Sequence, residues 1–331
     1  VPDVAALRAG LIGLGMMGRH HARVLRSIDG VELVAVADPG GDPHGVARDL
    51  AVGDSVQSLV DARVDYAVVA APTVYHEAIG LTLADAGIHT MIEKPLATDA
   101  DAATRLAKAF AGRGLVGAVG HIERYNPALR SLRARIESGD LGEVYQITTR
   151  RQGPFPSRIA DVGVVMDLAT HDIDLTAWVA RSRYSTVAAH VAHKSGRSHE
   201  DLVAFVGLLE NGLVTNHLVN WLSPFKERTT TVSGERGTFV ADTVTADLTF
   251  HANGTVETTW DSLVGFRGVT EGGSQRFALE KREPLLVEHE AFRDAVLGVG
   301  NDIIAMDEGR DTVRVAQTVL ASAASGRTQE C

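Results

Sequence analysis

The stretch "GLIGLGMMGRHH", residues 10–21, governs how the rest of the chain is read. It sets Gly13, Gly15 and Gly18 in the pattern G-x-G-x-x-G, directly after an apolar run and at the start of a helical pattern. In such a strand-loop-helix turn the first glycine makes the tight bend, the second lets backbone approach a pyrophosphate, and the third lets the helix pack closely on the strand. The helix start adds unpaired N–H groups and a partial positive charge. In a chain with 33 glycines the pattern alone is weak, so its surroundings decide its weight. The next apolar run, "VELVAVAD", ends in Asp38, where an acidic side chain accepts hydrogen bonds from adenosine ribose hydroxyls. A carboxylate at that point repels a 2′-phosphate, and no Arg follows closely, so NAD is favoured over NADP.

Working outward, short apolar runs alternate with helical patterns as far as Gly120: "LRAGLIG", "VELVAVAD", "DYAVVAAP", "HTMIEKP" and "LVGAVG". Strand-helix-strand crossovers of this kind build a parallel sheet. The helices between them include Met17 to Ile28 and Ala100 to Phe110, the latter with Asp99 placed as its cap. After Gly120 the pattern changes. Asn211-Gly212 and Asn253-Gly254 each separate two strand-like runs, a hairpin signal because a type I′ turn needs positive φ at both positions. Helical spacing covers 127–138, 166–175, 287–296 and 307–324. The expected fold is α/β: a Rossmann doubly wound parallel sheet over 1–121, then an α+β domain with an open mixed, mostly antiparallel sheet over 122–331. The last helix is expected to pack back on the Rossmann domain.

A net charge of −10 argues against general affinity for nucleic acid, which calls for a basic surface. The single cysteine, Cys331, excludes an internal disulfide or a Cys-based metal site. His20 and His21 are adjacent in one helix and point to different faces, and His190, His193 and His199 follow no ligand spacing, so no metal is expected. No apolar run approaches the ~20 residues needed to cross a bilayer, and the expectation is a soluble, cytoplasmic protein without a membrane partner.

Two further stretches carry chemistry. "MIEKP" closes a strand with Glu93, Lys94 and Pro95, and in an open parallel sheet the ligand lies beyond the carboxyl ends of the strands. "MDLATHDIDL", 166–175, sets Asp167, His171 and Asp174 at offsets of four and three, on one face of a half-buried helix. A glycine loop, Asp38, "APTVYH", "EKP" and D-x-x-x-H-x-x-D together resemble the glucose-fructose oxidoreductase, inositol dehydrogenase and MocA (Gfo/Idh/MocA) family over nearly the whole chain. That resemblance implies oxidation or reduction of a secondary alcohol on a sugar or cyclitol with NAD(P). It implies Lys94, Asp167 and His171 as catalytic residues, and a Lys94-Pro95 bond that is often cis. Cofactor contacts are implied for Gly13, Gly15, Met16, Met17, Gly18, Asp38, Pro72, Thr73, His76, Glu93 and Lys94.

"GHIERYNP" and "RRQGPFPSRIADVGVVMDLATHDIDL" are similar to the UDP-N-acetylglucosamine 3-dehydrogenase subgroup. Substrate contacts are then expected from Lys94, Arg124, Tyr125, Asn126, Arg151, Arg158, Asp167, His171 and Asp174, with Arg151 and Arg158 pairing with a diphosphate. Hydride transfer needs a base for the hydroxyl proton and a donor for the developing alkoxide. His171 suits the first role, Lys94 the second, and Asp167 the orientation of His171. The implied substrate is a nucleotide sugar reacting at C3. A free cyclitol or sugar, as in inositol dehydrogenases, is the alternative, and a catalytically silent NAD-sensing regulator a third. Relatives commonly pair through the C-terminal sheet, so a homodimer or homotetramer is expected.

Overall fold

A computed structural model describes residues 6–156, 162–254 and 271–331. The chain divides into two units, residues 1–122 with 283–317, and residues 123–282 with 318–331.

The first unit holds a six-stranded sheet in the order β3-β2-β1-β4-β5-β6, every neighbouring pair parallel. Its strands are β1 Leu7–Ile12, β2 Val31–Ala37, β3 Val52–Gly53, β4 Tyr66–Val69, β5 His89–Glu93 and β6 Gly117–Gly120. Helices α1 Met16–Leu25, α2 Gln57–Asp61, α3 His76–Asp85 and α4 Ala100–Gly112 connect them. Strands covered on both faces read as continuous apolar runs rather than alternations, and all four residues of β4 are buried. Leu11, Tyr66, Val68 and Met91 form the core with Phe292, which comes from the distant helix Pro284–Val296. Each such side chain contributes about 1.5–3 kcal/mol on burial. Strand order reverses direction about β1, so the ends of β1 and β4 frame the switch point where such sheets take ligands.

The second unit is built on a nine-stranded sheet, β14-β13-β12-β11-β7-β10-β9-β8-β15. Pairing is antiparallel except for β7 Val144–Pro154 with β10 Val214–Asn220, which run parallel. β8 is Tyr184–Ala192, β9 Leu202–Leu209, β11 Leu222–Gly234, β12 Gly237–Asp242, β13 Asp247–Asn253, β14 Glu271–Arg276 and β15 Gln329–Glu330. β9 and β10 form the hairpin expected at Asn211-Gly212, but the turn is not type I′: Gly212 has φ +84° while Asn211 is not at positive φ. The run following Gly254 lies outside the described residues. Along β9 burial alternates, as it does when one sheet face is covered and the other open. Helices α5 Pro127–Glu137 and α6 Thr170–Ala180 also belong to this unit, together with a π-helical turn over Val165–Ala169 that leads into α6.

Candidate active site

The glycine loop of the first unit is built as its pattern requires. Gly13 has φ +93°, and a Cβ there would sit 2.5 Å from the Ala70 carbonyl. A Cβ on Gly18 would sit 1.9 Å from the Gly13 oxygen, whereas one on Gly15 would meet nothing within 4 Å. Two glycines therefore hold the turn, and the third leaves an open backbone cradle at the start of α1. No side chain caps that helix, so its first amides are available to an anion. Asp38 follows β2 and accepts the Leu14 and Gly40 N–H groups, each at 2.8 Å, which aims its carboxylate at the loop. Its remaining lone pairs can take ribose hydroxyls. The open cradle and the placed carboxylate fit a dinucleotide. Met16 is exposed, Met17 partly buried, Pro72 exposed and Thr73 partly buried.

Two residues expected to touch the cofactor are occupied inside the protein instead. His76 is 1% exposed, with Nδ1 3.0 Å from the Pro95 carbonyl and Nε2 2.8 Å from that of Ala71. It joins the turn after β4 to the turn after β5, and burial lowers its pKa. Glu93 is buried; Oε1 lies 2.9 Å from Nε2 of His21, and Oε2 accepts the Lys94 backbone N–H at 3.0 Å. Burial acts to raise the Glu93 pKa, but the bond and charge of His21, aided by Lys94, outweigh it and hold the carboxyl below its ordinary range. Nδ1 of His21 in turn lies 2.8 Å from Nε2 of His289. With Glu93 ionised, Nε2 of His21 is the donor to Oε1. Sequence reading missed His21 and His289. The signal for His21 was present: it shares the buried face of α1 with Gly18, Ala22 and Leu25. Lys94, partly buried, follows directly, and its bond to Pro95 is cis, as the family resemblance implied.

In the second unit, Asp167 falls in the π turn and His171 in the first turn of α6, at 6% and 9% exposure. Single π turns recur at functional sites. The helix is not half-buried as its pattern suggested, because Thr170 to Thr176 are all buried. Its carboxylates tolerate this because they are paired. Asp174 receives Arg124 bidentately, Nε to Oδ2 at 2.9 Å and Nη2 to Oδ1 at 2.6 Å. Asp172 receives Nε of Arg151 at 3.0 and 3.1 Å, and Nη1 of Arg151 reaches Glu123 at 2.8 Å.

These pairs correct several expectations. Arg151 is 3% exposed between two carboxylates, so it anchors the fold rather than a diphosphate. Arg124 and Asp174, both expected to contact substrate, are paired with each other. Asn126 caps α5 by accepting from Ala128 N and donates to the Thr243 carbonyl, and Tyr125 is buried at 3% exposure. Arg158 lies outside the described residues. Among the described residues, no group of three or more His, Cys, Asp or Glu could hold a metal ion.

Residues 7–121 match the family model for an oxidoreductase family with an NAD-binding Rossmann fold, and residues 129–240 match the GFO/IDH/MocA C-terminal domain. The chain belongs to the Gfo/Idh/MocA family. Among its relatives is a UDP-N-acetylglucosamine 3-dehydrogenase of Acidithiobacillus ferrooxidans, 34% identical over 63% of this chain and 66% of that protein. Another is inositol 2-dehydrogenase 2 of Saccharopolyspora erythraea, 32% identical over 63% of this chain and 65% of the relative. The sequence match thus spans just under two thirds of these curated relatives. A solved UDP-N-acetylglucosamine 3-dehydrogenase structure from Acidithiobacillus ferrooxidans superposes with a TM-score of 0.83, covering 97% of this chain and 99% of the other at 26% identity.

Proposed function

We propose that this family member is a dehydrogenase that moves hydride between a secondary alcohol of a sugar and the nicotinamide of NAD, with a UDP-N-acetylhexosamine oxidised or formed at C3. The observation that carries the redox reading is the glycine loop, two glycines locked and one open, with Asp38 turned toward it. Asp38 also supports NAD over NADP, since a 2′-phosphate would meet its carboxylate. Bound NAD supplies the hydride acceptor. His171 takes the hydroxyl proton, Asp167 orients the imidazole, and Lys94 stabilises the oxygen as negative charge develops. Likeness to the Acidithiobacillus enzyme supports the nucleotide sugar, and likeness to the Saccharopolyspora enzyme keeps a free cyclitol as the second reading.

No helix among the described residues is long and apolar enough to cross a membrane, and we propose that the protein works in the cytoplasm. The open face of the second sheet carries Val206, Leu208 and Val214 at 41–44% exposure, with Leu208 directly opposite Val214. This supports self-association through that sheet. The test is NADH absorbance with purified protein, NAD, and a panel of UDP-sugars and inositols, comparing wild type with Lys94→Ala and His171→Ala. Turnover reduced at least about 100-fold in both variants is expected. Unchanged turnover in both removes the assigned chemistry, and NAD binding without NADH formation on any substrate would favour the regulator.

A further inference from the structure

With Arg151 and Arg124 committed to carboxylates, another group must receive any phosphate on the substrate. Arg228 of β11 lies directly opposite Arg151 of β7 in the strand register. Lys226, two residues earlier, lies on the same face beside Gly153 of β7, whose missing Cβ would stand 3.9 Å from the Lys226 Cα. Three cations thus share one patch of two adjacent strands, and of the carboxylates near it Glu123 and Asp172 both pair with Arg151. Among the described residues, neither Lys226 nor Arg228 forms an ion pair, and Nη1 of Arg228 is buried with no hydrogen-bond partner. A guanidinium N–H left so is costly unless something else satisfies it.

We infer that Lys226 and Arg228 form the seat for the phosphate groups of the substrate, an inference that rests on the nucleotide-sugar reading above. A planar fork beside a mobile point charge suits phosphate oxygens. A neutral cyclitol has no use for either. Burial, then the neighbouring Arg151, outweighs the favourable fields of Glu123, Asp172 and Asp167 and pulls Arg228 down to about 10; burial, then Arg228, outweighs Glu123 and lowers Lys226. An anion between them offsets the mutual repulsion of the cations and favours their charged forms. Arg228 also feels the field of Asp167, which puts the seat within electrostatic reach of the candidate dyad. Gly153 leaves the neighbouring position free of a side chain.

The test uses the full chain with NAD, initial rates on UDP-N-acetylglucosamine, N-acetylglucosamine 1-phosphate and N-acetylglucosamine, and calorimetric titration with UDP. Lys226→Ala and Arg228→Ala are each expected to raise KM for UDP-N-acetylglucosamine at least about tenfold, far more than kcat falls, with a larger rise in the double variant. UDP affinity should weaken in parallel, and Arg228→Lys should recover part of the loss. Arg150→Ala, on the opposite sheet face at 53% side-chain exposure, should leave KM near wild type. A parallel KM rise for the 1-phosphate places the sugar-proximal phosphate in the seat; a rise confined to the nucleotide sugar places the second phosphate there. If Arg228→Ala fails to fold, Lys226→Ala at its exposed site carries the test. Unchanged KM and UDP affinity in the double variant overturn the seat. If wild type oxidises only unphosphorylated substrates, the nucleotide-sugar reading fails on its own. UDP binding that the double variant loses would still sustain the seat, and absence of UDP binding to wild type would overturn it.

Discussion

Asp174 is 1% exposed and takes two N–H donors on one edge of the Arg124 fork, so its charge inside α6 is held by a bidentate ion pair. Removing one partner of a buried pair leaves the other ion uncompensated, at about 3–5 kcal/mol, whereas replacing both by apolar groups is often neutral. Asp174→Asn is therefore expected to lower unfolding stability by about 3–5 kcal/mol in urea titration, and Arg124→Met with Asp174→Leu to recover most of it. A single-variant loss below about 1 kcal/mol would mark the pair as no stronger than a surface one. From the sequence, Asp174 and Arg151 had the residue types and spacing of ligand groups. Their partners lie 50 residues back for Asp174, and 21 residues on and 28 residues back for Arg151, and local pattern carries no information about such pairings.

At the scale of elements, the glycine loop and the helix starts were the most legible parts, because each is set by short-range sterics and hydrogen bonding. Asp99 does cap α4, accepting from Ala102 N at 2.8 Å, and Asp38 directly follows the second strand beside the loop. The three glycines separate folding from binding. Gly13→Ala combines a φ of +93° with a backbone contact of 2.5 Å, and Gly18→Ala creates one of 1.9 Å, so both should destabilise the first unit by several kcal/mol. Gly15→Ala meets no neighbour and has φ −72°, so thermal stability should stay within about 1 kcal/mol of wild type while NAD affinity falls at least about tenfold. Melting curves and NAD titration of the three variants check this. Equal loss of stability at all three positions would show that the loop is only a packing turn. The π turn at Val165–Ala169 was not legible, since its apolar spacing reads as ordinary helix.

Over the whole molecule, alternation of strands and helices was enough to name a parallel sheet, but not to reveal which distant segments complete each unit. Phe292 enters the first core from 172 residues beyond the last strand of that sheet, which ends at Gly120, and β7 pairs in parallel with β10 across an intervening helix and two strands. Buried titratable groups were equally hidden, and they set how stability follows pH. His217 is 1% exposed among Thr149, Tyr184 and Thr215, and burial pulls its pKa down to about 3; His76 and His289 are also lowered by burial. The unfolded chain binds these protons near pH 6.5, so the stability they contribute is present above 6.5 and lost as pH falls toward the folded values. Each such histidine tilts the curve by about 1.4 kcal/mol per pH unit in that window. Glu93 and Glu123, held low, act in the same direction below their ordinary value of 4.5. Glu288 acts oppositely: burial first, then the charge of Glu93, raises its pKa well above 4.5, so stability is present below 4.5 and lost as pH rises through the folded value. Urea unfolding from pH 4 to pH 8 should therefore show a steep acid limb that His217→Gln flattens, while Glu288→Gln raises stability at pH 8 and gives little at pH 4. If both variants keep the wild-type profile, these two side chains do not titrate across the folding transition.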